Sequence, residues 1–131
     1  MPTVLLILVM LLGQPRLVGL ASHYDQCFSP ACVFRNGEPW SPDAQIVAVD
    51  DSEYRELAGK QLLIVTENGR VAVLKVADSG YLYRAGYFER GPWAWRSASA
   101  GVQFVIDIPR DRFLAAFETL DTQLVSVFVL D

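Results

Sequence analysis

The chain is 131 residues long and 52% hydrophobic, with 11 basic and 15 acidic side chains and a formal net charge of −4. That length fits one domain with a modest core, and the apolar content excludes a disordered chain. The acidic balance, with no run of like charge, excludes binding to nucleic acid through its phosphates, which needs a basic stripe.

In chain order, the apolar stretch from Val4 to Leu12 is too short to span a bilayer comfortably and suits the h-region of a secretory signal peptide. Processing is expected near Gly13 to Pro15, so residues 1–15 read as a leader and 16–131 as the mature domain. The alternatives are an uncleaved anchor, through which alone membrane association is expected, or a buried first helix. Arg16–Tyr24 reads as the first strand, and His23 at its end reads as structural rather than as an acid or base. The loop Asp25–Pro42 holds three prolines, one glycine and both cysteines, and Phe34 and Trp40 are expected to pin it to the body of the fold. Cys27 and Cys32, with four residues between them, suit a small disulfide loop in an oxidising compartment, the alternative being two free thiols. Two cysteines and His23 are too few for a structural zinc site, so neither metal nor cofactor is expected.

Three apolar runs each deliver an aspartate at their C-terminal end. Gln45–Val49 leads to Asp50, Val71–Val76 to Asp78, and Gln103–Ile108 carries Asp107. After Asp50 the run DSEYREL predicts a short helix, with Asp50, Asp51 or Ser52 as N-cap. Gln61–Thr66 and Arg70–Val76 flank Glu67-Asn68-Gly69, a hairpin signal. The segment 79–101, rich in aromatic residues from Tyr81 to Trp95, has neither strand nor helix period and reads as an irregular excursion. Its rings suit stacking on sugar faces, or else an inward-folded cluster. Pro109 opens a predicted helix, Arg110–Leu120, with Phe113, Leu114, Phe117 and Leu120 on one face. Asp107 has the alternative role of capping it. Leu124–Leu130 is a last strand, expected to be buried on both faces. If the strands share a sheet or barrel, the three carboxyl groups converge on one cleft, where crowding and burial would push their pKa values apart, as acid and base chemistry on a glycosidic bond requires.

VAVDD at 47–51, VADSG at 76–80 and VIDI at 105–108, followed by a helix and an apolar strand, resemble the three-aspartate ("3D") domain, and ASHYDQCFSPAC at 21–32 resembles its opening segment. That domain occurs in membrane-bound lytic transglycosylase A and in stationary-phase survival proteins. The barrels of rare lipoprotein A and the expansins are more distantly similar. The likeness runs from about Leu17 to Leu130 and implies a mainly β fold, a six-stranded double-psi β-barrel with one or two short helices and an aromatic-rich insertion at 81–101. It departs from the family pattern at Asp51, where the family has proline, and at Ser79-Gly80-Tyr81, where it has Thr-Gly-Gly.

The resemblance implies an exported, secreted or periplasmic, monomeric protein acting on peptidoglycan or another polysaccharide of the cell wall. Its main expectation is a lytic transglycosylase that cleaves the bond between N-acetylmuramic acid and N-acetylglucosamine. Asp78 would be the acid and base, with Asp50 and Asp107 orienting it. The alternative is a non-catalytic polysaccharide-binding or wall-loosening barrel of the expansin type, in which Asp78 contacts sugar without breaking it.

Overall fold

A computed structural model describes residues 16–82 and 101–130. The expected leader and residues 83–100 of the aromatic excursion lie outside the described residues. Six strands, β1 (Arg16–Tyr24), β2 (Ile46–Asp50), β3 (Gln61–Thr66), β4 (Val71–Gly80), β5 (Phe104–Pro109) and β6 (Gln123–Leu130), close into a barrel in the order β1-β5-β2-β4-β3-β6. Among the described residues two short helices, α1 (Asp51–Leu57) and α2 (Arg110–Phe117), follow β2 and β5. The pairs β1–β5 and β2–β4 are parallel and the other four are antiparallel. This is the mainly β, six-stranded barrel that the family resemblance implies, and closure leaves its sheet without an open edge.

Strand alternation fills the barrel. Val47 and Val49 of β2, Leu74 and Val76 of β4, and Ile106 and Ile108 of β5 point into one core with Phe113 and Phe117 of α2, as the two-residue period of a strand requires. The opposite face of each strand carries smaller clusters, among them Leu63, Val65 and Phe128. Val73 in β4 is exposed, and β6 buries Val125, Val127 and Phe128 while its other five positions are half-buried. Both strands therefore have a wetter outer face than their apolar runs suggest. Gly19 lets β1 approach β5 closely, since a Cβ there would lie 3.0 Å from the Phe104 carbonyl oxygen.

The β3–β4 hairpin forms where Asn68-Gly69 predicts it. Gly69 alone takes the left-handed conformation in that turn (φ 87°) and donates its N–H to the Thr66 carbonyl. The result is a three-residue loop rather than a two-residue turn with both residues left-handed. Helix α2 is shorter than its periodicity predicts. Glu118 turns left-handed and ends it after Phe117, so its buried stripe is Phe113 and Phe117 alone and Leu114 is exposed. Leu120, beyond the helix, still packs on the core.

The long loop is fastened to the barrel as expected. Phe34 is buried with Tyr24, Ile46, Ala48 and Ala77, and Trp40 packs on this cluster. The Trp40 ring meets Phe34 edge-on at 5.4 Å and Tyr24 at 5.2 Å. Cys27 and Cys32 form a disulfide. At its far end the loop caps α2, because the Pro42 carbonyl accepts from the N–H groups of Asp111 and Arg112, and the Arg112 guanidinium holds the Asp43 carbonyl. His23 is tied into the structure, donating from Nε2 to the Leu120 carbonyl at 2.9 Å and meeting the Phe113 ring edge-on.

Candidate functional site

The barrel's outer wall carries a row of four residues in register. Ser22 of β1 pairs with Asp107 of β5, Asp107 with Ala48 of β2, and Ala48 with Asp78 of β4. Paired residues face the same side of a sheet, so both aspartates stand on the outer face with Ala48 between them. With neighbouring strands about 4.8 Å apart, their Cα atoms are roughly 10 Å from each other.

Asp78 owes its place to a bulge. Val47 pairs with Val76, yet Ala48 pairs with Asp78, so Ala77 is an extra residue in β4. In unbroken register Asp78 would pair with Val49 and point into the apolar core. The bulge re-aims it outward, as such features do beside functional sites. The loop completes the arrangement. Asn36 N–H donates to the Ala77 carbonyl at 3.0 Å, and Arg35 N–H donates to Asp78 Oδ1 at 3.0 Å. Tyr24 Oη donates to Asp78 Oδ2 at 2.8 Å. Both carboxyl oxygens of Asp78 are thus fixed by donors from the protein. Burial, with the adjacent Asp78 charge, pushes the Tyr24 phenol far above its ordinary range, so that hydroxyl remains a donor.

Asp107 accepts from Ser22 Oγ at 2.9 Å. It does not cap α2, whose N-cap is Pro109 and whose leading N–H groups go to the Pro42 carbonyl. Burial raises its pKa from 3.8 to about 6; the Ser22 bond and His23 oppose the rise, and the Asp78 charge adds to it. A carboxyl group raised in this way binds more protons folded than unfolded between about pH 4 and pH 6. Its contribution to stability is therefore greatest on the acid side and is lost as pH rises through about 6, a change on the order of 2–3 kcal/mol. Denaturation curves of wild type and Asp107→Asn between pH 4 and pH 8 should diverge in that direction, with the variant the more stable of the two at pH 7. Parallel curves would mean that Asp107 titrates normally.

Asp50 stands elsewhere. It is buried at the end of β2 and caps α1, its Oδ2 accepting from Ser52 N–H at 3.1 Å and Ser52 Oγ at 2.6 Å. It does not line the cleft over Asp78 and Asp107. The structure thus brings together two of the three aspartates singled out in the sequence and sets the third to holding a helix. Asp51 likewise lies outside the lining of the cleft and bonds to its edge, accepting from Ser79 Oγ at 2.6 Å and lying 3.6 Å from Arg35. The Arg35 guanidinium also donates to Ser79 Oγ and lies over the Tyr54 ring at 4.3 Å. Tyr24, Ser22 and Arg35 are site residues that the sequence reading did not select, although Tyr24 lies in the segment at 21–32 that carried part of the family resemblance.

Above the row lies a cleft of about 430 Å³, floored by Ala48, Gly80 and the two carboxyl groups and walled by Phe28 and Tyr81. Both of these aromatic side chains are largely exposed. Hydrogen-bond acceptors and exposed aromatic rings lining one cleft are the chemistry of a site for a polyhydroxylated ligand.

Among solved structures, the chain is similar to the apo form of an expansin from Clavibacter michiganensis, with a TM-score of 0.58 and 18% identity over 89% of this chain and 51% of that one. A second match is a mutant of the same expansin in complex with cellohexaose, with a TM-score of 0.55, 17% identity and the same coverage. The likeness is one of fold. The chain spans about half the length of the expansin chains it matches. No family model and no curated protein matches it.

Proposed function

We propose that this barrel binds polysaccharide in the cleft over Asp78 and Asp107 without cleaving it, in the manner expected of an expansin-type barrel. The observation that carries this reading is the presentation of Asp78. Tyr24 and Arg35 both donate to it, so it is held rigidly as an acceptor at the floor of an aromatic-walled cleft. Such a group takes hydrogen bonds from sugar hydroxyls. The fold shared with a protein solved with cellohexaose supports the same ligand class. The Cys27–Cys32 disulfide suits an oxidising compartment, and export to the cell wall or periplasm is part of the proposal.

Glycan cleavage is the second reading, and one observation favours it. Asp107, with a pKa of about 6, keeps a proton available close to neutral pH beside a second carboxyl group. One experiment separates the two. Wild type and Asp78→Asn are incubated with insoluble cellulose, chitin and peptidoglycan, the bound fraction is measured by sedimentation, and soluble products are sought by mass spectrometry. Binding that weakens about ten- to hundredfold in the variant, the effect of losing a hydrogen bond to a charged group, with no products from either protein, is expected. Equal binding by both proteins would remove Asp78 from the site. 1,6-Anhydro muropeptides formed by wild type would establish cleavage, and their loss in Asp78→Asn would give Asp78 a part in it.

A further inference from the structure

Phe28 sits at the junction of two cavities. The cleft of about 430 Å³ over the aspartates and a neighbouring cavity of about 380 Å³ share Tyr24, Phe28, Asp78 and Ser79 as lining. The first offers the carboxyl groups of Asp78 and Asp107, and the second offers Ser29, Arg35 and Trp40. Of these four shared residues, Phe28 presents the most exposed aromatic ring to a chain-like ligand that occupies both cavities.

That ring is 74% exposed, yet it rests on a second ring and the loop that carries it is tied. It lies over the Tyr24 ring at 6.2 Å with 28° between the planes. Its loop is closed by the Cys27–Cys32 bond. Within the loop, Ser29 Oγ bonds with both the N–H and the carbonyl of Val33, and Cys32 N–H donates to the Ser29 carbonyl. An exposed aromatic ring ordered before the ligand arrives gives up little freedom on binding. Tyr24 in turn donates to Asp78, so the ring and the carboxyl group are in fixed relation.

We propose that Phe28 is a stacking platform at the midpoint of a two-part groove, across which an uncharged glycan chain lies with one sugar face on the ring and units on either side in the two cavities. The proposal rests on the polysaccharide-binding reading above. Charge selects an uncharged chain. Two carboxyl groups floor the first cavity, the protein is acidic overall, and the cation of the second cavity, Arg35, is already paired with Asp51. Among the described residues that line the two cavities, an acidic glycan would meet like charge with no unpaired counter-charge.

The test is isothermal titration of wild type, Phe28→Ala and Phe28→Trp with cellotriose and cellohexaose, beside a thermal melt of each protein. A hexamer reaches both cavities and a trimer does not need to, so wild type should prefer cellohexaose. Phe28→Ala should lower cellohexaose affinity about ten- to hundredfold, the worth of covering one such ring. It should also erase the preference for the longer chain while leaving the melting temperature unchanged. Phe28→Trp should restore both. A cellohexaose preference that survives in Phe28→Ala would overturn the platform and leave polysaccharide binding standing. A lowered melting temperature with undiminished binding would make Phe28 a structural residue and overturn it equally. Failure of wild type to bind either oligosaccharide would overturn the platform, and, joined with no sedimentation on cellulose, chitin or peptidoglycan, the binding reading itself.

Discussion

Replacing Phe34 with alanine is expected to cost about 3–5 kcal/mol of stability, the range for emptying a well-packed aromatic site, and to loosen Asp78 in the same step. Phe34 is 2% exposed and is the anchor by which the loop between β1 and β2 is held to the barrel wall. The two residues that follow it do the positioning. Arg35 N–H fixes Asp78, and Asn36 N–H occupies the carbonyl of the bulged Ala77. With the ring gone, neither N–H has a reason to stay within bonding distance, and the Arg35 contacts to Ser79, Asp51 and Tyr54 go with them. Phe34→Leu, which refills most of the volume, should recover more than half of the loss. Chemical denaturation of the three proteins reads the stability, and glycan binding per folded molecule reads the positioning. A loss below 1 kcal/mol would mean that the disulfide and Trp40 hold the loop without Phe34. A large loss with unchanged binding would mean that Asp78 is held by Tyr24 alone.

The strands were legible in the sequence because they alternate or run apolar between clear breaks, and because Asn68-Gly69 and Pro109 mark their turns by local chemistry; the barrel into which they close was implied by the family resemblance alone. The site was legible only in part. Asp50 and Asp107 look alike as acids at strand ends, yet they do different things for a reason that lies in the residues after them. Asp50 is followed two positions later by Ser52, whose N–H and hydroxyl both turn back to it. Asp107 is followed by Ile108-Pro109, which starts its helix with a residue lacking an N–H, and a distant carbonyl, that of Pro42, takes over the capping. Tyr24, Arg35 and Ser22 were hidden for another reason. Their partners are 54, 43 and 85 positions away, and no local pattern encodes such a distance. The bulge was hidden too, since Ala77 is small and apolar and suits either face of a strand, and only pairing with the remote β2 decides which.

Inserting one alanine into β2 between Val47 and Ala48, opposite Ala77, tests that last point and is expected to be the most damaging change of all. With the extra residue of β4 matched by one in β2, the two strands run in unbroken register, and Asp78, two residues after the inward-facing Val76, points into the barrel core. A one-residue slip moves a side chain to the other face, and a carboxyl group moved among Val76, Ile106 and Phe113 either stays ionised at a cost of several kcal/mol or must take up a proton. The alternative open to the chain is to break the β2–β4 pairing beyond Val47, which forfeits the strand end that carries Ser79 and Gly80. Both routes remove Asp78 from the outer face beside Asp107. We expect the insertion to lower stability by roughly 3 kcal/mol or more and to abolish glycan binding. Ala77→Gly keeps the residue count and the bulge, so it should cost about 1 kcal/mol and leave binding near wild type. Denaturation and cellohexaose titration of the pair decide the matter. If the insertion were tolerated as well as the glycine substitution, the outward aim of Asp78 would have to come from the Tyr24 and Arg35 bonds, and the bulge would follow from them instead of preceding them.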